Sequence, residues 1–528
     1  MADIAKIKSP ELSHIGEVER KIIGKVFSSF LDTAGTATSR ATFYNTLEEL
    51  EKTTIQIHEQ LFEIDRGIYG LSIVLPGVTD YTRQLGISRL LSNPIKGKSI
   101  LTPEQELMLI HWLTNHLPPQ RMLNLFIALK KSRVNNKRTR VLILRSILGY
   151  EKLEFWAVKY RHKLAKSLQH AWGERDAGII KAILSKSQES YTTKENTILN
   201  RMILKYAKKG IRKEKVFECI SFILGNEENL KLPFLKSYHD AKTKFEKGSK
   251  LPYEVLEGIR SQFHPDRKTG DVLLLSKKQL TTGQKLALQR KAKEEHVEVK
   301  FDPKDYDTVR LYLYAFEMGM TVAIKKELKR KAKTLAMRLP TKLNHIGILV
   351  DVSESMVGHR TQKRRPIAVT LAIRDVLIAA SEKISICYSN GDNLKDFDLI
   401  EPAGETALAE GLVSLLQEKP DSIFILTDGY ENTPAGRLNE AIIAARRIGV
   451  EIPIYQISPV MAAETLGVRA LSEEIPIFPL NQPEAIGLGI VKLMMLKDVD
   501  HAIAALLNLT LPLLEEETRT TLLTSSVI

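Results

Sequence analysis

The run Ile346-Gly347-Ile348-Leu349-Val350 is the feature that most constrains the fold of this chain. Five consecutive apolar or small residues predict a strand that is buried on both faces, which is typical of a parallel sheet covered by helices. Asp351, Ser353 and Ser355 follow this strand directly. Three small oxygen-bearing side chains at alternate positions beyond a buried strand indicate a polar site at the edge of the sheet.

The polar residues after this strand suggest a site for a divalent cation. Mg²⁺ prefers about six oxygen ligands, and two hydroxyls with one carboxylate supply only part of that shell. Thr406, in the loop 402–406, and Asp428, after a second buried run at 422–427, can supply more. An alternative, a helix N-cap, explains Ser353 and Ser355 but not the two later residues. We therefore predict that Mg²⁺ or another divalent cation is bound by Asp351, Ser353, Ser355, Thr406 and Asp428.

The order of these five residues resembles the metal-ion-dependent adhesion site of von Willebrand factor A domains, over about residues 341–490. The resemblance implies that the serines and the threonine ligate Mg²⁺ directly, that the aspartates often act through water, and that one position stays open for a partner's carboxylate. Strands and helices alternate after Ser355, which predicts an α/β, doubly wound, Rossmann-like parallel sheet. Ligands of such sheets bind beyond the carboxyl ends of the strands.

The charge of the chain is unevenly distributed. Residues 341–528 carry 16 lysine and arginine residues against 25 aspartate and glutamate residues, whereas residues 1–340 carry 61 against 38. The net charges are therefore −9 and +23. A basic part of this size indicates a polyanion as partner, and nucleic acid is favoured over the alternative of a lysine-rich solvated surface.

The pattern before the central strand is predominantly helical. Between residues 81 and 340, amphipathic helices with short links favour a stacked all-α repeat of HEAT type, although no clean repeat period is visible. Residues 1–80 predict two helices and, at 67–76, a short strand or hairpin, which is compatible with a winged helix. Residues 236–300 are more polar and are expected to be partly surface loop.

These patterns predict a multidomain chain with four parts. We expect a helical or winged-helix-like segment at 1–80, a basic HEAT-like helical repeat at 81–340, a von Willebrand factor A-like domain at 341–485, and C-terminal helices with a tail at 486–528.

Basic residues gather at neighbouring helix junctions of the predicted repeat, where they can contact phosphates in a salt-dependent manner. Trp156, Tyr160 and Tyr206 lie among them and are candidates for stacking on unpaired bases, unless they belong to the helical core. The candidate RNA-binding residues are Lys130, Lys131, Arg133, Lys137, Arg138, Arg140, Lys159, Arg161, His162, Lys208, Lys209 and Arg212.

The segment Leu153-Glu154-Phe155-Trp156-Ala157-Val158-Lys159-Tyr160-Arg161 resembles a piece of the TROVE module of the Ro ribonucleoprotein family. That family also pairs a basic HEAT-like ring with a C-terminal A domain, and the order and charge split of this chain fit it. The chain departs from the family's pattern after Arg161, where Lys163-Leu164-Ala165-Lys166 follows. The resemblance implies a ring-shaped helical domain that binds small noncoding, Y-type RNA and the single-stranded 3′ ends of misfolded RNA.

We therefore predict a non-enzymatic RNA-binding protein with a Mg²⁺-holding A domain. The alternative is a protein-interaction scaffold whose metal captures a partner's carboxylate. An enzyme is a third hypothesis, but the chain has no Gly-x-x-x-x-Gly-Lys-Ser/Thr phosphate loop and no histidine pair at metal-ligand spacing.

The cellular setting is predicted from what the sequence lacks. Only Cys219 and Cys387 occur, which does not suggest a disulfide framework. No apolar run is long enough for a membrane span, and the first residues lack an apolar secretory core. We expect a cytoplasmic monomer with no membrane association.

Overall fold

The computed structural model describes residues 17–37, 46–95, 99–339, 342–358, 363–391, 397–459 and 469–524. Most of these residues are helical, and five strands form one sheet. The helices are α1 (Glu17–Thr36), α2 (Leu47–Ile64), α3 (Arg66–Val74), α4 (Asp80–Ser92), α5 (Pro103–Asn115), α6 (Pro119–Lys131), α7 (Lys137–Leu148), α8 (Leu153–Lys159), α9 (Arg161–Trp172), α10 (Glu174–Leu184), α11 (Thr193–Met202), α12 (Lys213–Ile223), α13 (Pro233–Ala241), α14 (Tyr253–Phe263), α15 (Thr269–Ser276), α16 (Thr282–Ala287), α17 (Gln289–Glu294), α18 (Thr308–Met318), α19 (Val322–Ala336), α20 (Arg365–Ala380), α21 (Ala409–Gln417), α22 (Arg437–Arg447), α23 (Ile486–Lys497) and α24 (Val499–Thr524). The strands are β1 (Leu343–Val350), β2 (Ser381–Tyr388), β3 (Ser422–Leu426), β4 (Ile454–Pro459) and β5 (Ile477–Leu480).

The chain divides into two compact units. The sheet unit consists of Met1–Gly86, Ile95–Leu109 and Pro303–Arg519, and the helical unit consists of Ile87–Pro94, Ile110–Asp302 and Thr520–Ile528. Helices α18 and α19 therefore belong with the sheet, although the sequence pattern put a domain boundary at residue 340. No helix in the described ranges has both the length and the apolarity needed to cross a membrane.

The sheet is parallel throughout, with the strand order β2-β1-β3-β4-β5. In the register of β1, Ile348 lies between Ile386 of β2 and Phe424 of β3. Because β2 lies on one side of β1 and the later strands lie on the other, the direction of winding reverses between β1 and β3. The predicted parallel α/β sheet is thus confirmed, and the crevice between the ends of β1 and β3 is where such sheets bind ligands.

Helices pack on the strands because β1 is apolar on both faces. One buried core joins Leu349 to Leu412 of α21 and Ile442 of α22. Helix α20 packs against β1, β2 and β4, and twelve of its sixteen residues are buried. A helix that is apolar nearly all round needs cover on its outer side, which α18 and α19 provide.

One polar network lies inside this layer. The fully buried Arg374 guanidinium of α20 donates hydrogen bonds to Asp375 and to the hydroxyls of Tyr312 and Tyr388. The Tyr312 hydroxyl in turn donates to the Asp375 carboxylate. A buried charge is tolerated when it is paired and hydrogen-bonded in this way, so the network ties α18 to α20 and β2.

The predicted strand or hairpin at 67–76 is wrong, and with it the winged-helix arrangement. Arg66–Val74 is helix α3, and among the described residues before position 95 all regular structure is helical. Asp65 caps this helix by accepting a hydrogen bond from the Ile68 amide at 2.8 Å. All nine residues of α3 are buried, so tertiary packing overrides the strand propensity of its isoleucine, valine and tyrosine residues.

The helical unit is built from short helices with short links. Helix α9 packs against α6, α7 and α10, and α8 packs against α12 and α13. The segment 236–300, expected to be partly surface loop, is also largely helical. Its helices are short, and they start at local signals such as Pro233 and the Thr281–Gln284 capping box. HEAT-type stacking and closure into a ring stay predictions.

Candidate functional site

The ends of β1 and β3 are held side by side by a backbone hydrogen bond. The Asp351 amide donates to the Leu426 carbonyl at 2.9 Å, directly before Thr427 and Asp428. On the other side of β1, the Ser389 hydroxyl accepts from the Val352 amide at 3.0 Å. The chain therefore leaves β1 in a fixed path at the switch point of the sheet.

Side-chain hydrogen bonds bring four of the five predicted metal ligands together. Ser353 bonds to Asp351, and Ser355 bonds to Asp428. The Oγ atoms of Ser353 and Ser355 lie 3.0 Å apart and share a hydrogen bond. We call Asp351, Ser353, Ser355, Asp428 and Thr406 the hydroxyl–carboxylate cluster.

The loop that carries Thr406 is fastened to the segment after β1. The Ala403 amide donates to the Val352 carbonyl at 2.9 Å, and the Glu354 amide donates to the Gly404 carbonyl at 3.1 Å. Thr406 is 1% exposed, and its hydroxyl has no hydrogen-bond partner among the residues that the structure describes. A buried hydroxyl without a partner costs free energy, so a missing oxygen-seeking ligand is a direct explanation.

The electrostatics of the hydroxyl–carboxylate cluster are unfavourable as they stand. Burial raises the pKa of Asp351, an effect that hydrogen bonds from Thr427 and Ser353 partly oppose. Burial and then the negative charge of Asp351 raise the pKa of Asp428 to about 6. Among the residues that the structure describes, no cationic side chain contributes to the pKa of either aspartate. The buried Asp351 and the half-buried Asp428 are neighbouring carboxylates that no described cation neutralises, and a divalent cation stabilises such an arrangement.

The donor set also fits a hard cation. Carboxylate and hydroxyl oxygens suit Mg²⁺, and Ser355 is exposed, so water or a partner's oxygen can reach the same ion. Within the described ranges, no group of three or more histidine, cysteine, aspartate and glutamate side chains can hold a metal. The hydroxyl–carboxylate cluster has only two carboxylates, so most of its candidate ligands are hydroxyl groups.

Three residues that shape this site were not predicted. Thr427 donates from Oγ1 to Asp351 Oδ2 at 2.7 Å, and Asn432 Oδ1 accepts from the Thr406 amide at 2.9 Å. Gly429 has a φ of +87°, and a Cβ there would lie 2.4 Å from the Arg469 carbonyl oxygen. A hydroxyl that interrupts an apolar strand could have revealed Thr427, whereas nothing in the sequence marks Asn432.

The twelve RNA-binding candidates lie in the helical unit and fall into two groups. Arg138 donates to the Leu90 and Asn93 carbonyls at 3.1 and 2.8 Å, so it caps the end of α4. Arg161 donates to the Phe222 carbonyl at 2.8 Å, stacks on the Phe222 ring and pairs with Glu227. These contacts engage the two guanidinium groups inside the unit.

Other candidates are also paired or are exposed. Lys159 lies 3.5 Å from Glu254, and Lys208 lies 3.2 Å from Glu151. Lys209 is exposed, as are His162 and Arg212. Five further candidates are exposed and have no ion pair with any described residue; we call Lys130, Lys131, Arg133, Lys137 and Arg140 the α6–α7 junction.

The three aromatic candidates are less exposed than the basic residues of the α6–α7 junction. Trp156 is 4% exposed and stacks on Tyr150, with ring centroids 3.6 Å apart. Its face is therefore occupied within the core. Tyr160 and Tyr206 are half-buried, and Tyr160 packs edge-on to Trp156.

The first turn of α7 carries positive charge, although a helix N-terminus favours negative charge. Its first turn contains Lys137, Arg138 and Arg140 and no acidic residue. Positive charge near a helix N-terminus is unfavourable by about 0.3–1 kcal/mol per residue, because the helix dipole is positive there. The stability of α7 thus gives no reason for this concentration of charge.

The fold and site define a class: a parallel α/β unit with a hydroxyl–carboxylate cluster at its switch point, in one chain with a basic helical unit. No protein-family model and no curated protein matches the sequence. Among solved structures, the chain is similar to the Ro (RSR) protein of Deinococcus radiodurans, with 12% sequence identity and a TM-score of 0.34. The alignment covers 90% of this chain and 99% of that protein. A TM-score of this size does not establish a common fold.

Proposed function

We propose that this protein is a non-enzymatic RNA-binding protein of Ro type whose sheet unit holds Mg²⁺ or another divalent cation. The RNA-binding surface lies on the helical unit, and its ligands are small noncoding RNA and the exposed ends of structured or misfolded RNA. The protein acts in the cytoplasm as a monomer. The TROVE and A-domain resemblances of the sequence motivate the Ro-type specificity.

The cation is supported by one observation above the others. Asp351 and Asp428 are carboxylates that burial deprives of solvent, and they repel one another. The Thr406 hydroxyl, in the loop fastened to the segment after β1, has no partner among the described residues. A divalent ion relieves the repulsion and gives that hydroxyl a partner. When bound, it offers an electropositive centre to an oxygen ligand arriving from the solvent side. Asp351, Ser353, Ser355, Thr406 and Asp428 are the residues that would hold it.

RNA binding is supported by the charge of the helical unit. Residues 110–302 carry 40 lysine and arginine residues against 20 aspartate and glutamate residues, a net charge of +20. The α6–α7 junction concentrates five exposed cations that no described acidic residue neutralises. Such groups are free to replace counterions on a phosphate backbone.

Two measurements on the purified full-length protein test the proposal. Fluorescence anisotropy with a labelled hairpin RNA that has a single-stranded 3′ end, over about 50 to 200 mM salt, should give affinities that fall steeply with salt. Calorimetric titration of chelator-treated protein with Mg²⁺ should show one site. Absence of RNA binding at the lowest salt would refute the RNA function, and absence of the cation site would refute the metal independently.

The second candidate function is a protein-interaction scaffold that captures a partner's carboxylate on the bound cation. Exposure of Ser355 at an otherwise buried cluster favours it, because one side of the ion would face solvent. Immobilised Asp351→Asn and unaltered protein can be compared in binding a glutamate-containing peptide in the presence of Mg²⁺ and of a chelator. A scaffold loses the peptide in the variant and with chelator, while its RNA binding stays unchanged.

A further inference from the structure

Helix α19 has an exposed face of lysines that the proposed function does not use. The helix contains six basic residues and one acidic residue, in a part of the sheet unit that is otherwise mainly acidic. Its inner face is formed by Ile324, Leu328 and Ala332, which are 1%, 0% and 0% exposed. The inner face of α19 is therefore occupied by packing on the unit, while Val322 at its start and Met337 just after its end are 86% and 83% exposed.

The six cations of α19 fall into two sets of three. Lys325 Nζ lies 2.5 Å from Asp398, while Arg330 and Lys331 both pair with Glu327, at 2.6 and 3.2 Å. The other three are exposed and have no ion pair with any residue in the described ranges; we call Lys326, Lys329 and Lys333 the α19 stripe.

The geometry of the α19 stripe is that of a continuous surface. Spacings of three and four residues put the three side chains on one side of the helix, separated along its axis by about 4.5 and 6 Å. Like charges at these spacings destabilise a helix by a few tenths of a kcal/mol each, so the stripe does not serve helix stability. Acidic neighbours compensate the other three cations and leave this row free.

We propose that the α19 stripe is a second RNA-backbone contact of this protein, on the unit that carries the hydroxyl–carboxylate cluster. This inference rests on the proposed RNA-binding function and extends it to a unit whose sheet part is acidic. Its ligand is a row of phosphates, recognised by charge and not by base sequence. An anionic membrane fits less well, because a helix that binds membranes needs a continuous free apolar face. The exposed apolar residues Val322 and Met337 stand singly at the two ends of α19, and its row of Ile324, Leu328 and Ala332 is buried.

The test uses full-length protein and a labelled single-stranded RNA. The stripe variant combines Lys326→Gln, Lys329→Gln and Lys333→Gln. The control variant removes the same charge at scattered exposed positions of the same unit, with Lys25→Gln, Lys52→Gln and Lys383→Gln. We expect the stripe variant to lower the slope of log affinity against log salt by about 2, because each phosphate contact on a single strand contributes about 0.7. The control should keep the slope of the unaltered protein.

Equal slopes for the stripe variant, the control and the unaltered protein would overturn the inference. If a variant of the α6–α7 junction still lowers the slope in that case, the proposed RNA function stands and only the α19 contact is wrong. Binding to vesicles rich in phosphatidylserine is measured with the same variants. If the stripe variant loses vesicle binding while its RNA salt slope stays unchanged, the inference is overturned in favour of a lipid surface. Photo-crosslinking of RNA to unaltered protein gives a readout that does not depend on variants: peptides from 322–336 must carry RNA.

Discussion

The Thr427 hydroxyl donates a hydrogen bond to the Asp351 carboxylate, with 2.7 Å between Oγ1 and Oδ2. The same Thr427 oxygen accepts from the Gly429 amide at 3.1 Å. Thr427 therefore fixes the orientation of the carboxylate after β1 and the turn after β3 at once. The other Asp351 oxygen accepts from the Ser353 amide at 2.9 Å, so both oxygens of this carboxylate are oriented before any ion arrives.

Replacing Thr406 by valine should separate cation binding from folding. The hydroxyl has no partner in the buried site, so its loss should leave the stability of the metal-free protein unchanged or raise it by up to about 1 kcal/mol. The stabilisation that Mg²⁺ gives to the unaltered protein, about 3 kcal/mol at 100 times its dissociation constant, should shrink or vanish. Thermal unfolding with Mg²⁺ and with a chelator measures both effects.

Thr370 provides the matched control for this prediction. Its hydroxyl is also buried without a partner among the described residues, but it lies on α20 and is not one of the predicted ligands. Thr370→Val should respond to Mg²⁺ like the unaltered protein. If both threonine variants keep the full Mg²⁺ effect, Thr406 is not a ligand.

Asp428→Asn should raise the stability of the metal-free protein and reduce the additional stability that Mg²⁺ gives. The pKa of Asp428 is raised to about 6 from an ordinary value of 3.8, so its ionised form is disfavoured in the fold. Removing that charge should stabilise the metal-free protein at pH 7.5 by about 1 to 3 kcal/mol. Urea unfolding with chelator measures this gain, and calorimetric titration measures the loss of cation affinity. A metal-free variant that is less stable than the unaltered protein would contradict the repulsion between the two aspartates.

A variant of the α6–α7 junction should lose RNA affinity without losing stability. Lys130→Gln, Lys131→Gln, Lys137→Gln and Arg140→Gln together remove four exposed charges that have no ion pair with any described residue. We expect the salt slope of binding to a single-stranded RNA to fall by about 3. Anisotropy across a salt series measures the slope, and an unfolding curve should coincide with that of the unaltered protein.

Arg161→Gln should lower the stability of the protein and leave the salt dependence of RNA binding nearly unchanged. Arg161 bridges the Phe222 carbonyl and Glu227 and covers the Phe222 ring, so its loss should cost about 1–3 kcal/mol of stability. The salt slope of RNA binding should change little, measured at a temperature where the variant is folded. A large fall in slope with unchanged stability would make Arg161 a direct phosphate contact.

Acid should destabilise the helical unit through His111. Burial, with the nearby charge of Arg145, lowers the pKa of His111 to about 4 from an ordinary value of 6.5. The unfolded chain then binds the proton more readily, so this contribution to stability is present above pH 6.5 and is lost as pH falls toward 4. Between pH 7.5 and pH 5 the loss should be about 2 kcal/mol. His111→Leu should reduce the difference between denaturation curves at the two pH values, whereas the exposed His162→Gln should not.

The strands could be predicted from sequence because each is a short apolar run with little dependence on distant partners. The apolar runs 383–388 and 422–427 predict two strands, and the structure has β2 at Ser381–Tyr388 and β3 at Ser422–Leu426. That the residues of the hydroxyl–carboxylate cluster come together could be predicted for a related reason, because residues that follow parallel strands lie at the same edge of the sheet. Its cation stays a prediction.

Other features depend on contacts through space, which spacing along the chain does not reveal. The pattern of residues 151–171 predicts one helix, but the structure divides it into α8 and α9 at Tyr160, where neither proline nor glycine marks the break. Helix α3 has no polar face, so its periodicity could not be distinguished from that of a strand. The engagement of Arg138 and Arg161 likewise depends on backbone carbonyls that are supplied by other helices.

Gly429 sets a limit on how this corner of the protein can diverge. Any larger residue would have to adopt a left-handed backbone and displace the main chain at Arg469, whatever the neighbouring carboxylates bind. Selection for folding alone would therefore keep glycine at this position. In the loop around Thr406 the exposed Gly404 has a similar backbone, with a φ of +79°, but a Cβ there would meet no atom within 4 Å. Substitutions that change the chemistry of the site without displacing the main chain are therefore more readily accommodated in that loop.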